Sequence, residues 1–136
     1  MISREELLSI PQMAREIENE DARIETMRSR LYSPKGLDTT ETVQSSGSNQ
    51  NALADVVIDL QQKLDEKKME LVRLQNEVVE MIYHELDLED RERIIFLLRY
   101  TERCLGWKDI AAMTHYAEST VYRKHEQVLG KIYSEN

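Results

Sequence analysis

The stretch that decides the fold is ALADVVIDLQQKLDEKKMELVRLQNEVVEMIYHE, residues 52–85, which contains neither glycine nor proline. Its apolar residues recur at alternating steps of four and three, which is the heptad spacing of a helix that buries one narrow stripe. Lys67 is the single polar interruption of this stripe. We therefore predict a long coiled-coil helix over residues 52–86. Its seam consists of Leu53, Val57, Leu60, Leu64, Leu71, Leu74 and Val78.

This seam needs an apolar partner, and the sequence offers two. An N-terminal helix is predicted over residues 1–32, with Ser3 and Glu6 as its capping box and with apolar residues at helical spacing. Pro11 predicts a restart or a kink near its beginning. This helix could fold back on the seam as a hairpin, or another copy of the chain could cover it. The two arrangements are compatible, and we expect a homo-oligomer, a dimer or higher. Glu20 and Lys67, polar at seam positions, would fix the register.

Residues 33–51, SPKGLDTTETVQSSGSNQN, lie between these two helices and show no helical period. Pro34, Gly36, Gly47 and many small polar residues are typical of a connection without regular structure. We predict a flexible loop over this range. Loops of this length are uncommon inside compact domains and are often functional or mobile.

The composition excludes several classes of protein. No apolar run approaches the roughly 20 residues that a membrane-spanning helix needs, and the N-terminus lacks the pattern of a signal peptide. Cys104 is the only cysteine, which excludes an internal disulfide and fits a reducing cytoplasm. We therefore expect a cytoplasmic protein.

The net charge of -8 is unevenly distributed along the chain. Residues 1–86 contain 17 acidic and 10 basic residues, whereas residues 87–136 contain 9 acidic and 8 basic ones. Because nucleic acids respond to a local basic surface, an acidic total does not exclude DNA binding by the C-terminal part.

The segment DRERIIFLLRY, residues 90–100, predicts a strongly apolar helix at the start of a small domain over residues 87–136. After it, GWKDIAAMTHYAESTVYRKH, residues 106–125, predicts a short helix from Trp107 to about Met113. A turn over residues 114–117 follows, and then a second helix begins at Glu118. Two helices joined by about four residues, the second with polar side chains on its first half, are typical of a helix-turn-helix.

DRERIIFLLRY followed by GWKDIAAMTHYAESTVYRKHEQVLGKI resembles region 4 of bacterial sigma factors and the related output domains of response regulators. Ile110, Ala111 and Val121 fall at matching positions, as does Met113. The turn departs from the family pattern twice. His115 stands where the family has glycine, and Ala117 stands where it has a capping serine.

The arrangement over nearly the whole chain, including the linker ETVQSSGSNQ, resembles phage-encoded late-gene transcriptional regulators of Gram-positive bacteria. The resemblance implies an activator of phage late genes that works in the cytoplasm of the bacterial host cell. The fold class we expect is all-α, an N-terminal helical hairpin or coiled coil followed by a sigma-region-4-like helix-turn-helix domain. Whether RNA polymerase is a further partner stays open.

The function we expect is sequence-specific binding of double-stranded DNA. Arg123 is the main candidate, because an arginine can donate two hydrogen bonds to guanine in the major groove. The alternative interpretation is that the base-reading candidates form an ordinary solvent-exposed helix face with no role in DNA binding. The base-reading candidates are Glu118, Ser119, Thr120, Tyr122 and Arg123. The candidates for contacts to phosphate, which give affinity without sequence preference, are Arg103, Lys108, Lys124 and Lys131.

Catalysis finds little support in the sequence. His84, His115 and His125 are far apart and lack the spacing of metal ligands, and no glycine-rich phosphate loop is present. We expect no enzyme activity, no metal and no cofactor. The alternative function is a protein-interaction adaptor. Such a protein would bind RNA polymerase or another regulator through its acidic helices and read little DNA directly.

Overall fold

The computed structural model describes residues 1–32 and 43–134. Over these ranges the chain is all-α, as predicted, and contains no strand. A π-helical turn, Met81–Glu85, directly follows the second α-helix. The α-helices are α1 (Arg4–Tyr32), α2 (Val43–Glu80), α3 (Asp90–Tyr100), α4 (Trp107–Thr114) and α5 (Glu118–Ile132).

Helix α1 begins with the predicted capping box. The backbone N–H of Ser3 donates to Glu6 Oε1 and the backbone N–H of Glu6 donates to Ser3 Oγ, both at 3.1 Å. The helix continues through Pro11 without a restart. Proline removes one helical hydrogen bond, but Leu7 and Ile10 beside it are fully buried. Tertiary packing of an apolar face therefore holds this turn helical.

Helix α2 begins at Val43, so residues 43–51 are helical and do not belong to the predicted loop. The remainder of that loop, residues 33–42, lies outside the described residues. Residues 43–51 contain no proline, and extending an existing helix adds one hydrogen bond for each residue fixed. Their serine, asparagine and glycine residues cost only modest helix propensity.

The chain divides into two compact units, and both α1 and α2 pass from one to the other. We call Arg15–Met69 the hairpin unit. The head unit consists of Met1–Ala14 and Glu70–Asn136. Residues 87–136, predicted as a separate domain, fall within the head unit together with the start of α1 and the end of α2.

In the hairpin unit, the seam of α2 faces α1. Val57 and Leu64 are buried, and Arg28 Nη2 of α1 donates to Gln61 Oε1 of α2 at 2.6 Å. The two polar seam residues meet each other, because Lys67 Nζ lies 2.5 Å from Glu20 Oε2. This hydrogen bond raises the pKa of Lys67. The predicted oligomerisation seam therefore packs against the chain's own α1 here, in the hairpin arrangement, with Leu53 and Leu60 half-buried.

The head unit has two apolar clusters. The smaller one joins α3, α4 and α5 through Ile95, Ile110 and Val121. The larger one also buries Leu74 and Val78, so the C-terminal part of the seam is covered within the head unit. Its buried members are Ile2, Leu7, Ile10, Leu74, Val78, Met81, Ile82, Leu88, Phe96, Tyr100, Val128 and Leu129.

Candidate functional site

The connection between α4 and α5 consists of His115, Tyr116 and Ala117. His115 adopts the left-handed conformation, with φ 62° and ψ 27°, which a non-glycine residue seldom occupies. The backbone N–H groups of His115 and Tyr116 both donate to the Ala111 carbonyl oxygen. Histidine therefore occupies a left-handed position that glycine usually fills.

Ala117 is the residue before the first turn of α5 and has an extended backbone, with φ -66° and ψ 148°. Its carbonyl oxygen accepts hydrogen bonds from the N–H groups of Thr120 and Val121, but its side chain can accept none. The helix thus begins in the expected place without the capping bond that serine provides, which is usually worth about 1 kcal/mol.

The inner face of α5 is fixed by an aromatic cluster around His125, which is only 2% exposed. The Tyr100 O–H lies 2.5 Å from His125 Nε2, and Glu126 Oε2 lies 3.3 Å from His125 Nδ1. The rings of Phe96 and Trp107 pack on the imidazole at centroid distances of 5.1 and 4.6 Å. Burial lowers the pKa of His125 to about 4, so the imidazole is neutral near pH 7.

The neutral state of His125 defines its hydrogen bonds. Nδ1–H donates to the Glu126 carboxylate, and Nε2 accepts the proton of the Tyr100 hydroxyl. This role was missed from the sequence, where His125 was considered only as a metal ligand. The helical spacing of buried Val121, His125 and Val128 is the signal that could have identified it.

The outer face of α5 carries the base-reading candidates, and most of them are exposed. Ser119 and Arg123 lie one turn apart on the side opposite the buried stripe. Glu118 and Tyr122 are exposed on one flank, and Thr120 is half-buried on the other.

The ring of Tyr122 also packs edge-on against Trp107, at a centroid distance of 5.4 Å. Gln127 extends the row of Ser119 and Arg123 by another turn and is exposed, although it is not among the predicted base-reading residues. Its spacing of four from Arg123 is the signal that it shares this face.

Three of the four phosphate candidates form no ion pair within residues 1–32 and 43–134. These three are Arg103, Lys108 and Lys124. The Lys124 ammonium lies 6.0 Å from the ring centroid of Tyr116, and the Arg91 guanidinium, which was not predicted, lies 5.3 Å from it. Two cations therefore converge beside the turn that precedes α5.

Lys131 lies apart from the other phosphate candidates. Its ammonium is 3.3 Å from both carboxylate oxygens of Glu92, a residue only 5% exposed. Twelve residues separate it from Ser119, roughly 18 Å along the helix axis. Glu92 also accepts a hydrogen bond from the Glu89 backbone N–H in the capping box that begins α3. Lys131 therefore joins the end of α5 to the start of α3.

No group of three or more histidine, cysteine, aspartate or glutamate residues suited to a metal ion occurs in the described part of the chain. Cys104 is half-buried, and burial raises the pKa of its thiol. None of the helices in the described ranges is both long and apolar enough to cross a membrane.

A family model described as "Protein of unknown function (DUF722)" matches residues 18–134 of the chain, which includes all of α2 to α5. The chain therefore belongs to this family. No curated protein and no solved structure matches the chain.

Proposed function

We propose that this member of the DUF722 family is a transcriptional regulator that binds double-stranded DNA in a sequence-specific manner. In this proposal α4 and α5 form a helix-turn-helix similar to region 4 of bacterial sigma factors, and α5 lies in the major groove. The resemblance drawn from the sequence extends the proposal to activation of phage late genes.

The observation that carries the proposal is the division of α5 into two faces. Its inner face is held by Val121 and His125, both at most 2% exposed. Its outer face presents Ser119, Arg123 and Gln127 to solvent, and Arg123 forms no ion pair within the described ranges. A rigid helix with free arginine and amide donors on its outer face has the chemistry that reads guanine and adenine.

Basic residues elsewhere in the head unit support the same function. These are Arg91 in α3, Arg103 in the turn between α3 and α4, Lys108 in α4 and Lys124 in α5. Within the described residues, none of these four forms an ion pair. Unpaired cations around a reading helix bind phosphates and fix its register without selecting a sequence. The acidic total of the chain does not oppose this, since residues 1–86 carry most of the excess acid.

Selection from a random duplex library with the purified chain, followed by fluorescence anisotropy on the enriched site, tests the proposal. Arg123→Ala should weaken binding by about 1–3 kcal/mol and relax the preference at one base pair. Lys108→Ala should weaken all sequences alike and lower the salt slope by about 1.

Arg23→Ala is the matched control, because Arg23 is an exposed arginine of α1 in the hairpin unit. It removes the same charge far along the chain from α5 and should leave the sequence preference unchanged. If no sequence is enriched at low salt, or if Arg123→Ala behaves like Arg23→Ala, the assignment of α5 as the reading helix is wrong.

The adaptor alternative has one observation in its favour. Ile58 and Met69 of the hairpin unit are 57% and 73% exposed, and exposed apolar side chains are typical of protein contacts. In that case Ile58→Lys and Met69→Lys would abolish capture of a partner such as RNA polymerase, and Arg123→Ala would not.

A further inference from the structure

The head unit contains a groove that includes no residue of α5 and shares only Arg103 with the proposed DNA contact. The groove has a volume of about 670 Å³ and lies between the last turns of α2, the end of α3 and the end of α4. Val79, Leu98 and Leu105 are half-buried in its wall. Met113 also lines it and is 60% exposed, although methionine is among the more apolar side chains. Gln75, Asn76 and Thr101 add polar groups to the lining, so the surface is concave and only partly apolar, with the apolar Met113 side chain exposed beside it.

The groove is bordered by two adjacent residues of opposite charge, Glu102 and Arg103. Both are exposed, and neither forms an ion pair within the parts of the chain that the structure describes. Across a two-fold axis, each residue of a surface meets residues of the same surface on the other copy. Two adjacent residues of opposite charge are self-complementary under such an axis. The acidic residue of each copy can face the basic residue of the other, which gives two ion pairs.

The turn that carries these charges has an unusual backbone conformation and is closed by backbone hydrogen bonds. Glu102 and Cys104 both have φ of 51°, a left-handed conformation that costs a non-glycine residue about 1–2 kcal/mol. The N–H of Cys104 donates to the Thr101 carbonyl oxygen at 3.1 Å, and the N–H of Leu105 donates to the Leu98 carbonyl oxygen at 2.9 Å. Residues in such conformations persist where the surrounding structure over-determines them, and they cluster at functional surfaces.

We propose that this groove is the contact surface of a symmetric dimer. Met113 of each copy packs into the groove of the other, and Glu102 of each copy faces the partner's Arg103. A second copy of the chain fits this surface better than an unrelated protein does, since the Met113 side chain, the groove and both charges belong to the same surface.

This interface differs from the predicted oligomerisation seam. Val57, Leu64, Leu74 and Val78 are at most 5% exposed within the single chain, so they are not accessible to a second copy, and the other predicted seam residues, Leu53, Leu60 and Leu71, are half-buried. The groove contains no residue of α5, so a dimer formed through it does not involve Arg123, whereas Arg103 would pair with the second copy and would no longer be available to bind phosphate. The inference does not rest on DNA binding, and it would stand if the chain bound no DNA.

Sedimentation velocity of the full chain across the micromolar range tests the dimer, without DNA. We expect wild type to shift from monomer to dimer with rising concentration. Met113→Lys places a charge in the apolar contact and should raise the dissociation constant by at least about tenfold. Because Met113 is mostly exposed, the variant should keep its circular dichroism and its Trp107 fluorescence. Ile94→Lys is the matched control, since Ile94 is exposed on α3 but does not line the groove.

The charge pair has a sharper test. Glu102→Arg alone and Arg103→Glu alone each place like charges across the axis, and each should weaken the dimer. The double variant Glu102→Arg/Arg103→Glu restores opposite signs and should return the dissociation constant towards that of wild type. A wild-type chain that stays monomeric, a dimer indifferent to Met113→Lys, or a double variant no better than the single ones would each overturn the proposal.

Discussion

Lowering the pH should destabilise the head unit through one buried imidazole, that of His125. In the folded chain, burial lowers its pKa to about 4, whereas the ordinary value is 6.5. As the pH falls between these values, the unfolded state binds a proton that the folded state does not accept. Unfolding is therefore favoured as the pH falls, and the stabilisation is fully present above pH 6.5.

The size of this effect follows from the difference between the two pKa values. At 1.36 kcal/mol for each unit, a pKa lowered from 6.5 to about 4 corresponds to a loss of about 3 kcal/mol by pH 4. Burial is the largest cause, Arg99 and Arg4 lower the pKa further, and Glu126 opposes them. The Tyr100 hydroxyl donates to Nε2, and burial raises its own pKa, so it remains a donor throughout this range.

The assay is urea unfolding followed by the fluorescence of Trp107, at several pH values between 7 and 4. Trp107 is the only tryptophan and packs against the His125 ring, so its emission reports on the head unit. His125→Phe keeps an aromatic ring but leaves the Tyr100 hydroxyl without its partner, which should cost about 1–3 kcal/mol at neutral pH. The double variant Tyr100→Phe/His125→Phe removes both polar groups and should recover much of this loss.

The difference in stability between wild type and the double variant isolates the imidazole, because the carboxylates are common to both. This difference should shrink by about 3 kcal/mol as the pH falls from 6.5 to 4. His84→Gln, which changes an exposed histidine outside the aromatic cluster, should follow wild type. If wild type and the double variant lose stability in parallel, His125 is not held neutral by burial.

Three further substitutions test the local structure, each by chemical unfolding. His115→Gly should stabilise the chain by about 1 kcal/mol, because glycine relieves the left-handed conformation, and an unchanged or lower stability would contradict the strain. Ala117→Ser should add about 1 kcal/mol by capping α5, with Ala112→Ser, inside α4, as the control that should not stabilise. Leu64→Ala should cost about 2–5 kcal/mol, since Leu64 is fully buried in the hairpin unit, whereas a cost below 1 kcal/mol would mean that the seam is open to solvent.

Local patterns of the sequence predicted the helical class and the heptad stripe of α2, because helical periodicity is a property of neighbouring residues. They also predicted the position of the turn before α5, where His115 is left-handed and Ala117 precedes the helix without a side-chain cap. The sequence identified Glu20 and Lys67 as polar seam residues that would fix the register, but it did not predict that they would pair with each other, because their contact depends on how α1 aligns with α2.

Other features depend on contacts between distant residues. Tyr133 Oη donates to the Ile2 carbonyl oxygen at 3.0 Å, across nearly the whole length of the chain. No periodicity links these two residues. The pairing of Lys131 with Glu92 is of the same kind, and it removes one predicted phosphate contact from the free cations. Which faces stay exposed is thus decided by tertiary packing, and the sequence alone predicts only which faces are apolar.

The head unit is discontinuous, since its core combines Ile2, Leu7 and Ile10 with Val128 and Leu129 of α5. During synthesis from the N-terminus, the N-terminal side chains of this core lack their packing partners in α5 until α5 has been synthesised. At about 5–20 residues per second, the delay for some 120 residues is roughly 6–24 s. Residues 15–69 form their own unit and are complete much earlier. A chain whose synthesis stops before α5 therefore contains all residues of the hairpin unit but an incomplete head-unit core. The head unit can complete its core only once α5 has been synthesised.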